Sequence, residues 1–466
     1  MKLPFLNRAN ELQRLERAFA GPDGAFCCLY GRRRCGKSRL LHEVLAKHTG
    51  VYYVGDRREA SLQRAALARA IAQLLPGFAD VTYSDWEPLL DRWWRSASDG
   101  AALVLDEFPA MVEASTELPS LLQKMVDGYG QRPVHLLIAG SSQRLMQGLV
   151  LDQSEPLFGR AREILKIEPL DIAWLPDALG ITQAPDVLDA YAAWGGVPRY
   201  WELARDYKGL WQAVESLVLD PLGVLHREPD RLLADDMRDT VQASSILALA
   251  GQGCHRLSEV GGRLGKPATS LTRPVHRLVQ LGLLRRETPF GQSPRSSKTT
   301  LYSVDDPFLA FWYRFVDPNR SRLSAGAVDA VLRDVRRAYP THVSAIWENV
   351  VRAAVPRYDI DANAWNPAAR WWGAGLDRQP LEIDVVAESA DGESLLIGEV
   401  KLRAAASELR RLTAELERKA LRLPFAGNYA RIVKRLFVGK ISGNEPAPEG
   451  VVPAASLLGL NEQGGK

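Results

Sequence analysis

Residues 31–38 read Gly-Arg-Arg-Arg-Cys-Gly-Lys-Ser, the full spacing of a phosphate-binding loop. Glycines in such a loop let backbone N–H groups approach phosphate oxygens without a Cβ clash. The spacing predicts that Gly31 and Gly36 shape the cradle, that Lys37 reaches the β- and γ-phosphates, and that the Ser38 hydroxyl binds Mg²⁺. A nucleotide site is therefore expected in the first third of the chain.

An acidic pair follows a later apolar stretch. Residues 101–105 have the composition of a buried strand and end at Asp106 and Glu107. In P-loop enzymes an aspartate at such a strand end holds Mg²⁺ through water. Glu107 could polarise the attacking water as a general base. An ordinary surface turn is the alternative for an isolated acidic pair, but the neighbouring phosphate loop favours the catalytic interpretation.

Two further polar positions could serve the same reaction. Ser141 follows the apolar run 134–139 and could contact the γ-phosphate or the lytic water. The alternative for this serine pair is an N-cap, since Ser142 precedes a predicted helix. Arg160 could act as an arginine finger, either in cis or across the contact of a homo-oligomer. A surface salt bridge is the alternative for Arg160.

These motifs together resemble prokaryotic AAA-type ATPases of the STAND class. The resemblance is carried by the Phe-Leu-Asn-Arg leader from Phe5 to Arg8, the phosphate loop, the Leu-Asp-Glu-Phe strand end and the Leu-Phe-Gly-Arg segment. It implies ATP binding and hydrolysis, with Phe5 and Arg8 against the adenine. It also implies a helical lid in which Arg199, within Trp-Gly-Gly-Val-Pro-Arg-Tyr, senses the nucleotide. A sharp turn between helices is the alternative for that element.

Regular elements must position these residues. Residues 25–30 form an apolar run before the loop, and residues 39–47 carry apolar side chains at helical spacing after it. The strand–loop–helix order predicts an α/β P-loop ATPase core over residues 1–170. A helical lid is predicted over residues 171–235.

The middle of the chain predicts a DNA-binding module. Residues 236–305 show three helical segments, a strand, a Gly/Ser/Pro-rich hairpin and a second strand, the order of a winged helix-turn-helix. Between residues 256 and 298 nine Arg and Lys residues stand against two acidic residues, which predicts salt-dependent phosphate binding. The candidate DNA contacts are Arg263, Lys266, Arg273, Arg277, Arg295 and Lys298. A winged helix that contacts protein is the alternative.

Residues 341–445 show the order α-β-β-β-α-β. Asp384 lies on the second predicted strand, and Glu399 and Lys401 lie on the third. This pattern resembles the PD-(D/E)xK nuclease core, and the resemblance implies a restriction-endonuclease-like C-terminal domain. Isoleucine replaces the proline of the formal motif before Asp384.

The chemistry of that pattern follows from strand geometry. Alternation places Glu399 and Lys401 on one face of their strand. Asp384 and Glu399 could bind Mg²⁺ or Mn²⁺, which prefer oxygen ligands. Lys401 could orient the water or balance the developing charge, and Glu348 could add an outer contact. The alternative is an inactive domain in which these residues form a satisfied ion cluster. The whole protein would then be an ATP-switched DNA-binding regulator or a signalling ATPase.

Composition sets the remaining limits. The chain has 466 residues, 46% hydrophobic and 25% charged, with a net charge of +3, so nucleic-acid binding requires a local basic patch. None of the four cysteines forms a C-x-x-C pair, and neither a signal peptide nor a membrane helix is predicted. We expect a cytoplasmic protein. Residues 306–340 are predicted to be a connector with an aromatic core, and residues 446–466 a loose tail.

Overall fold

The computed structural model describes residues 3–129, 131–237, 239–293, 299–443 and 446–460. The chain forms two compact units. Unit 1 contains the residues up to Leu170, Val197–Arg199 and a segment that begins at Arg231. Unit 2 contains Asp171–Gly196, Tyr200–Asp230 and the chain from Asp239 onward.

Unit 1 is built on a five-stranded parallel sheet with the strand order β2-β3-β4-β1-β5. Its strands are β1 (Phe26–Tyr30), β2 (Gly50–Val54), β3 (Ala102–Asp106), β4 (His135–Gly140) and β5 (Glu163–Lys166). Every residue of β1, β3 and β4 is buried, as expected for strands of a parallel sheet that is covered on both faces. The predicted α/β core is therefore confirmed.

Helices connect these strands. They are α1 (Ala9–Phe19), α2 (Lys37–Leu45), α3 (Ala60–Ala72), α4 (Trp86–Ser96), α5 (Phe108–Ala114), α6 (Leu118–Tyr129) and α7 (Gln143–Leu151). The apolar side of α4 buries Trp86 and Trp93 completely in the same core as Leu103 and Ile138 of the sheet. Full burial of side chains of this size is worth roughly 1.5–3 kcal/mol each, so this core fixes the strands that carry the site.

The chain from residue 171 to residue 236 is helical. Its α-helices are α8 (Leu175–Leu179), α9 (Ala184–Trp194), α10 (Pro198–Ala204), α11 (Leu210–Val214) and α12 (Glu228–Asp236). The sequence predicts helices here, and the sharp turn expected at the paired glycines has Gly195 at φ 59°.

Three helices and a hairpin follow in the order that the sequence predicts. They are α13 (Thr240–Gly251), α14 (Leu257–Leu264), α15 (Thr272–Gln280), β6 (Leu284–Glu287) and β7 (Leu301–Val304). The two strands pair antiparallel, with Leu284 opposite Val304. Helix α15 begins at Thr272 and therefore holds Pro274 in its first turn, where the missing N–H is tolerated.

The aromatic run after the hairpin is core, as predicted. Its helix α16 (Pro307–Phe311) buries Phe308 and Phe311 completely, and α17 (Arg320–Ser324) follows. Helix α18 spans Val328–Ala354 and contains Pro340, so it begins within the predicted connector, residues 306–340, and continues into the predicted C-terminal domain. Buried Val331 and Val335, one turn apart, stabilise the early turns against the cost of the proline.

The C-terminal part of unit 2 is a mixed five-stranded sheet with the order β12-β11-β10-β9-β8. Its elements are β8 (Ala369–Ala374), β9 (Pro380–Glu388), β10 (Ser394–Ala405), α19 (Ala406–Ala420), β11 (Arg431–Ser442), β12 (Val451–Pro453) and α20 (Ala454–Leu457). Strands β8, β9 and β10 pair antiparallel, and β10, β11 and β12 pair parallel. From α18 to β11 the order is the predicted α-β-β-β-α-β.

The prediction of a loose tail over residues 446–466 was wrong for its first half. Strand β12 pairs with β11, and both Val452 and Ala454 are buried. The edge of β11 offers backbone hydrogen bonds that this short segment satisfies. Across the described ranges, no helix has the length and apolar character required to cross a membrane.

Candidate functional site

The predicted catalytic residues of unit 1 meet at one edge of its sheet. In a parallel sheet all strands end at the same edge, and ligands bind there. The phosphate loop follows β1, Asp106 ends β3, and Ser141 follows β4. Side chains that are far apart in the sequence are therefore neighbours.

Gly31 and Gly36 of the loop have different structural roles. Gly36 has φ 93°, and a Cβ added there would meet no atom within 4 Å, so the space in front of it is open. Gly31 has φ 151°, and its Cβ would lie 2.3 Å from the carbonyl oxygen of Ile167. Gly36 thus leaves room for a phosphate, while Gly31 permits close packing of the loop on the chain after β5.

Lys37 lies inside the loop. Its ammonium group donates to the carbonyl oxygens of Gly31 (2.8 Å) and Arg32 (3.1 Å), and the residue is buried. Burial lowers the pKa of Lys37, because the charged form loses solvation. Phosphate oxygens would relieve this penalty by supplying opposite charge.

Asp106 is the centre of a hydrogen-bond network. Its Oδ2 accepts from the Ser38 hydroxyl (2.7 Å) and from the Tyr52 hydroxyl (2.5 Å), and its Oδ1 accepts from the backbone N–H of Glu107 (2.9 Å). The Ser38 and Asp106 oxygens are neighbours and are hard ligands, so they fit Mg²⁺. Tyr52 was missed by the sequence analysis because only the pairing of β2 with β3 brings it there.

Glu107 and Ser141 also meet. The Ser141 hydroxyl donates to Oε2 of Glu107 at 3.0 Å. Glu107 has φ 50°, a left-handed conformation that is uncommon outside glycine and occurs often at functional sites. The N-cap interpretation holds for the next residue, since Ser142 Oγ accepts from the backbone N–H of Leu145 at 3.4 Å. The N-cap therefore belongs to Ser142, and the contact of Ser141 with the γ-phosphate or the lytic water stays a prediction.

The leader lies against the loop through Arg8. The Arg8 guanidinium is buried, donates to the carbonyl oxygens of Cys35 (3.1 Å) and Glu168, and pairs with Glu11 (2.8 Å). Phe5 is half-buried, and the guanidinium of Arg39 lies 6.0 Å from its ring centroid. Arg8 thus supports the loop backbone, and the adenine contact of Phe5 and Arg8 stays a prediction.

The two other predicted arginines are Arg160 and Arg199. Arg160 Nε and Nη2 donate to the carboxylate of Asp127 at 2.9 Å each, and its Nη1 donates to the carbonyl oxygens of Pro156 and Phe158. Arg160 thus forms the surface salt bridge that was the alternative to an arginine finger. Arg199 is exposed and lies in the first turn of α10. Its sensing role stays a prediction.

The basic residues of the middle module form an exposed surface on and after α14 and on α15. Arg263, Lys266 and Arg273 are exposed, and no described residue forms an ion pair with them. Arg277 is half-buried and donates to Gln280 at 3.4 Å. The candidates Arg295 and Lys298 lie outside the described residues.

The hairpin of this module packs on the C-terminal domain. The backbone N–H of Phe290 donates to the carbonyl oxygen of Arg370 at 3.0 Å, and the rings of Phe290 and Phe425 lie 5.6 Å apart. Arg285 is held by Asp305 at 2.5 Å. Part of the module is therefore a packing surface, and its exposed basic residues Arg263, Lys266 and Arg273 lie on and after α14 and on α15.

The predicted nuclease-like residues come together on β9 and β10. Gly398 lies opposite Val385, so the antiparallel register places Glu399 next to Asp384. Asp384 Oδ2 accepts from the backbone N–H of Val400 at 2.8 Å.

Both carboxylate oxygens of Glu399 accept from lysines. Oε1 accepts from Lys401 at 2.8 Å and Oε2 accepts from Lys419 at 2.7 Å. Sequence reasoning missed Lys419, since its register on α19 relative to β10 depends on packing. Burial alone would lower the pKa of Lys401, but the hydrogen bond and charge of Glu399 raise it overall.

Glu348 belongs to the same electrostatic group. Burial, and secondly the charge of Asp384, raise the pKa of Glu348 to about 7. Burial and the charge of Glu399 also raise the pKa of Asp384. Nη1 of Arg352 lies 3.7 Å from Oε2 of Glu348 and also donates to the carbonyl oxygen of Asp384 at 2.8 Å.

This cluster does not fit a metal ion as it stands. In the part of the chain that the structure describes, no three or more His, Cys, Asp or Glu residues form a group suited to a metal. Glu399 offers no carboxylate oxygen that is not already bound to a lysine. The arrangement agrees better with the ion-cluster alternative than with a ready metal site.

Comparison with known proteins supports the first of these sites. A family model described as an ATPase domain predominantly from Archaea matches residues 5–203. A second model, of archaeal and bacterial proteins of unknown function, matches residues 312–412. An uncharacterized protein of Methanocaldococcus jannaschii is 26% identical over 405 residues, which cover 85% of this chain and 87% of that protein.

Solved structures show similarity at low sequence identity. The Walker-type ATPase of Pyrococcus abyssi is 18% identical with a TM-score of 0.49, covering 66% of this chain and 96% of its own. The ORC2 protein of Aeropyrum pernix, solved in ADPNP-ADP complexes, is 15% identical with a TM-score of 0.45, covering 72% and 97%. With the ATPase family match and the P-loop geometry, the chain carries a P-loop ATPase domain, part of its C-terminal region matches a family model of unknown function, and the protein is an ATP-hydrolysing enzyme.

Proposed function

We propose that ATP is hydrolysed at the carboxyl edge of the unit 1 sheet, with Lys37, Ser38, Asp106, Glu107 and Ser141 in separate roles. The supporting observation is that four of these side chains form two adjacent networks, one joining Ser38 to Asp106 and one joining Glu107 to Ser141. Ser38 and Asp106 would hold Mg²⁺, which when bound supplies charge stabilisation to the phosphates.

Lys37 and Glu107 are the protein groups proposed to bind the phosphates and to accept the proton of the attacking water. Lys37 would exchange its bonds to two loop carbonyl oxygens for bonds to the β- and γ-phosphates. Glu107 would take a proton from the attacking water. Ser141 holds one oxygen of that carboxylate and thereby orients the other. Phe5 and Arg199 are the proposed contacts to adenine and to the nucleotide state.

A single acid-to-amide change tests this assignment. Glu107→Gln keeps the shape and the acceptor for Ser141 but cannot accept a proton, so kcat should fall by about 10²–10⁴ while ATP affinity is kept. The matched control is Glu113→Gln, an exposed glutamate of the same region. Wild-type kcat in Glu107→Gln would contradict the proposal.

We also propose that the exposed basic face of α14 and α15 binds DNA through its phosphates. The support is local: Arg263, Lys266 and Arg273 are exposed and no described residue forms an ion pair with them, in a chain whose net charge is only +3. A sequence-independent backbone contact of this kind releases counterions and is salt-dependent.

Fluorescence anisotropy with a duplex between 50 and 200 mM salt, the range over which such contacts weaken steeply, tests this surface. Replacing the three residues by alanine should reduce the slope of log K against log salt by about 2–3. The control removes three exposed basic residues elsewhere, Arg17, Arg69 and Lys208. Equal slopes for both triple variants would favour the protein-contact alternative.

For the C-terminal domain we propose that these residues form an ion cluster that stabilises the fold and that the domain does not cleave DNA. The protein would then act as an ATP-dependent DNA-binding regulator. The observation that favours this over a metal-dependent nuclease is the pairing of Glu399 with both Lys401 and Lys419. Plasmid cleavage with Mg²⁺ or Mn²⁺ separates the two functions. Cleavage that is lost in Lys401→Ala would establish the nuclease and refute the ion-cluster proposal.

A further inference from the structure

The end of α12 lies against the phosphate loop, although it is about two hundred residues away in the sequence. From Arg231 onward this helix belongs to unit 1. Oδ2 of Asp235 lies 3.4 Å from Nε of Arg33, the third residue of the loop. The carbonyl oxygen of Asp235 accepts from the Ser142 hydroxyl at 3.1 Å. The segment therefore contacts both the loop and the chain that follows β4.

Asp236 anchors the segment. Its Oδ1 accepts from the backbone N–H of Arg144 at 3.0 Å and from the Ser142 hydroxyl at 3.3 Å. These donors form the start of α7, where the helix dipole favours a negative charge. Asp236 is buried, so this contact is well protected from solvent.

Asp235 is held less completely. Its carboxylate is half-buried, and its Oδ2 has no hydrogen-bond donor of acceptable geometry in the described structure. Burial raises the pKa of Asp235, and Asp236 acts in the same direction, while the charges of Arg33, Arg57 and Lys37 oppose the shift. The basic groups that favour a negative charge at Asp235 thus include two residues of the phosphate loop.

This position has a consequence for nucleotide binding. A triphosphate cradled by the loop would place negative charge near the cations that now face Asp235. Like charges in a partly buried site repel more strongly than in water. The positive charges of Arg33 and Lys37 therefore cannot fully stabilise both the Asp235 carboxylate and the phosphates.

We propose that Asp235 is an intramolecular competitor of the nucleotide phosphates, which holds Arg33 in the nucleotide-free protein and loses that contact when nucleotide binds. Asp236 keeps the segment on α7 and beside the Ser141–Ser142 pair, one residue from the partner of Glu107. Asp235 lies outside the region matched by the ATPase family, residues 5–203. The inference rests on the proposed nucleotide site.

The variant Asp235→Asn removes the competing charge while keeping the size of the side chain. Without nucleotide, we expect Asp235 to hold Arg33 in most molecules, so that only the remaining fraction can bind nucleotide. Removing the charge of Asp235 makes all molecules able to bind, and the apparent Kd should fall about three- to tenfold. The probes are ADP and the non-hydrolysable AMPPNP with Mg²⁺, titrated calorimetrically into the full chain. Asp235→Glu, which keeps the charge, should bind as the wild type does.

The matched control is Asp239→Asn, the same change four residues later. Asp239 is exposed and caps α13 by accepting from the backbone N–H of Gln242 at 2.8 Å, and asparagine caps a helix equally well. Its Kd should equal that of the wild type. An unchanged or higher Kd in Asp235→Asn would overturn the competitor role. No binding by the wild type would instead refute the nucleotide site itself.

A measurement on the unaltered protein keeps the inference testable if Asp235→Asn fails to fold. Backbone hydrogen exchange over residues 231–237 should increase by several-fold when AMPPNP binds, because the segment loses its contact with Arg33. Exchange in the phosphate loop should decrease at the same time. Equal or slower exchange over residues 231–237 with nucleotide bound would refute the competition.

Discussion

The substitution Tyr52→Phe tests whether Asp106 must be held from the side of β2. The Tyr52 hydroxyl is one of two side-chain donors to Oδ2 of Asp106, the other being Ser38, and a backbone N–H holds Oδ1. Burial, followed by the hydrogen bond to Asp106, raises the pKa of Tyr52 above its ordinary value, so the hydroxyl keeps its proton at neutral pH. Phenylalanine removes only that donor. The ring, which lies 4.3 Å from His42, is kept.

The size of the effect follows from the hydrogen bond. A bond to a charged acceptor contributes about 1.5–3 kcal/mol. The two remaining donors still hold the carboxylate, so the lower end of this range, about 1.5 kcal/mol, is expected. At 1.36 kcal/mol per tenfold change, kcat should fall about tenfold. The KM for ATP should change little, because Asp106 is proposed to act through Mg²⁺ and not on the nucleotide directly.

Steady-state hydrolysis at saturating Mg²⁺ and ATP measures this change. The matched control is Tyr53→Phe, since successive strand residues point to opposite faces and Tyr53 therefore faces away from Asp106. Tyr53→Phe should keep wild-type kcat. A wild-type kcat in Tyr52→Phe, or an equal loss in both variants, would refute the role assigned to the Tyr52 hydroxyl.

Three further predictions concern stability and binding. Burial, together with nearby positive charge, lowers the pKa of His135 to about 4. The unfolded chain therefore binds the proton more tightly, and the free energy of unfolding should fall by about 3 kcal/mol as the pH drops from about 6.5 to about 4. In urea unfolding, His135→Gln should flatten this dependence on pH. Gly36→Ala should fold, at a cost of about 1–2 kcal/mol for its positive φ, but it should lose nucleotide binding in calorimetry. Gly31→Ala should not yield folded protein, because its Cβ would overlap a backbone oxygen. Lys419→Ala should lower the free energy of unfolding by about 1–3 kcal/mol, and adding Glu399→Gln should restore part of it if the pair is structural; no restoration in thermal melts would contradict the ion cluster.

Much of the nucleotide site could be predicted because its parts are local. The loop from Gly31 to Ser38 is one contiguous segment, and the acids Asp106 and Glu107 directly follow a buried strand. Parallel strands end at one edge, so the meeting of these segments follows from the fold class alone. The leader was harder to interpret, since Arg8 contacts the loop backbone.

The C-terminal domain shows the limit of strand patterns. The sequence predicts the order of its elements correctly, and alternation places Glu399 and Lys401 on one face. The pattern does not reveal that Lys419 occupies the second oxygen of Glu399, because a helix can pack on a strand in many registers. That one contact favours the ion-cluster alternative over a metal site. The pairing of β12 with β11 was likewise hidden within a Pro- and Gly-rich tail.

The sequence by itself determined the phosphate loop, the acidic strand end and the succession of helices and strands, because backbone sterics and side-chain periodicity act over a few residues. Only the tertiary structure decided that Tyr52 donates to Asp106, that Arg160 pairs with Asp127, and that Asp235 faces the loop. Each of these contacts joins segments far apart in the chain. Their meeting depends on strand order and helix docking, which are fixed by the packing of the whole core and not by any short stretch of residues.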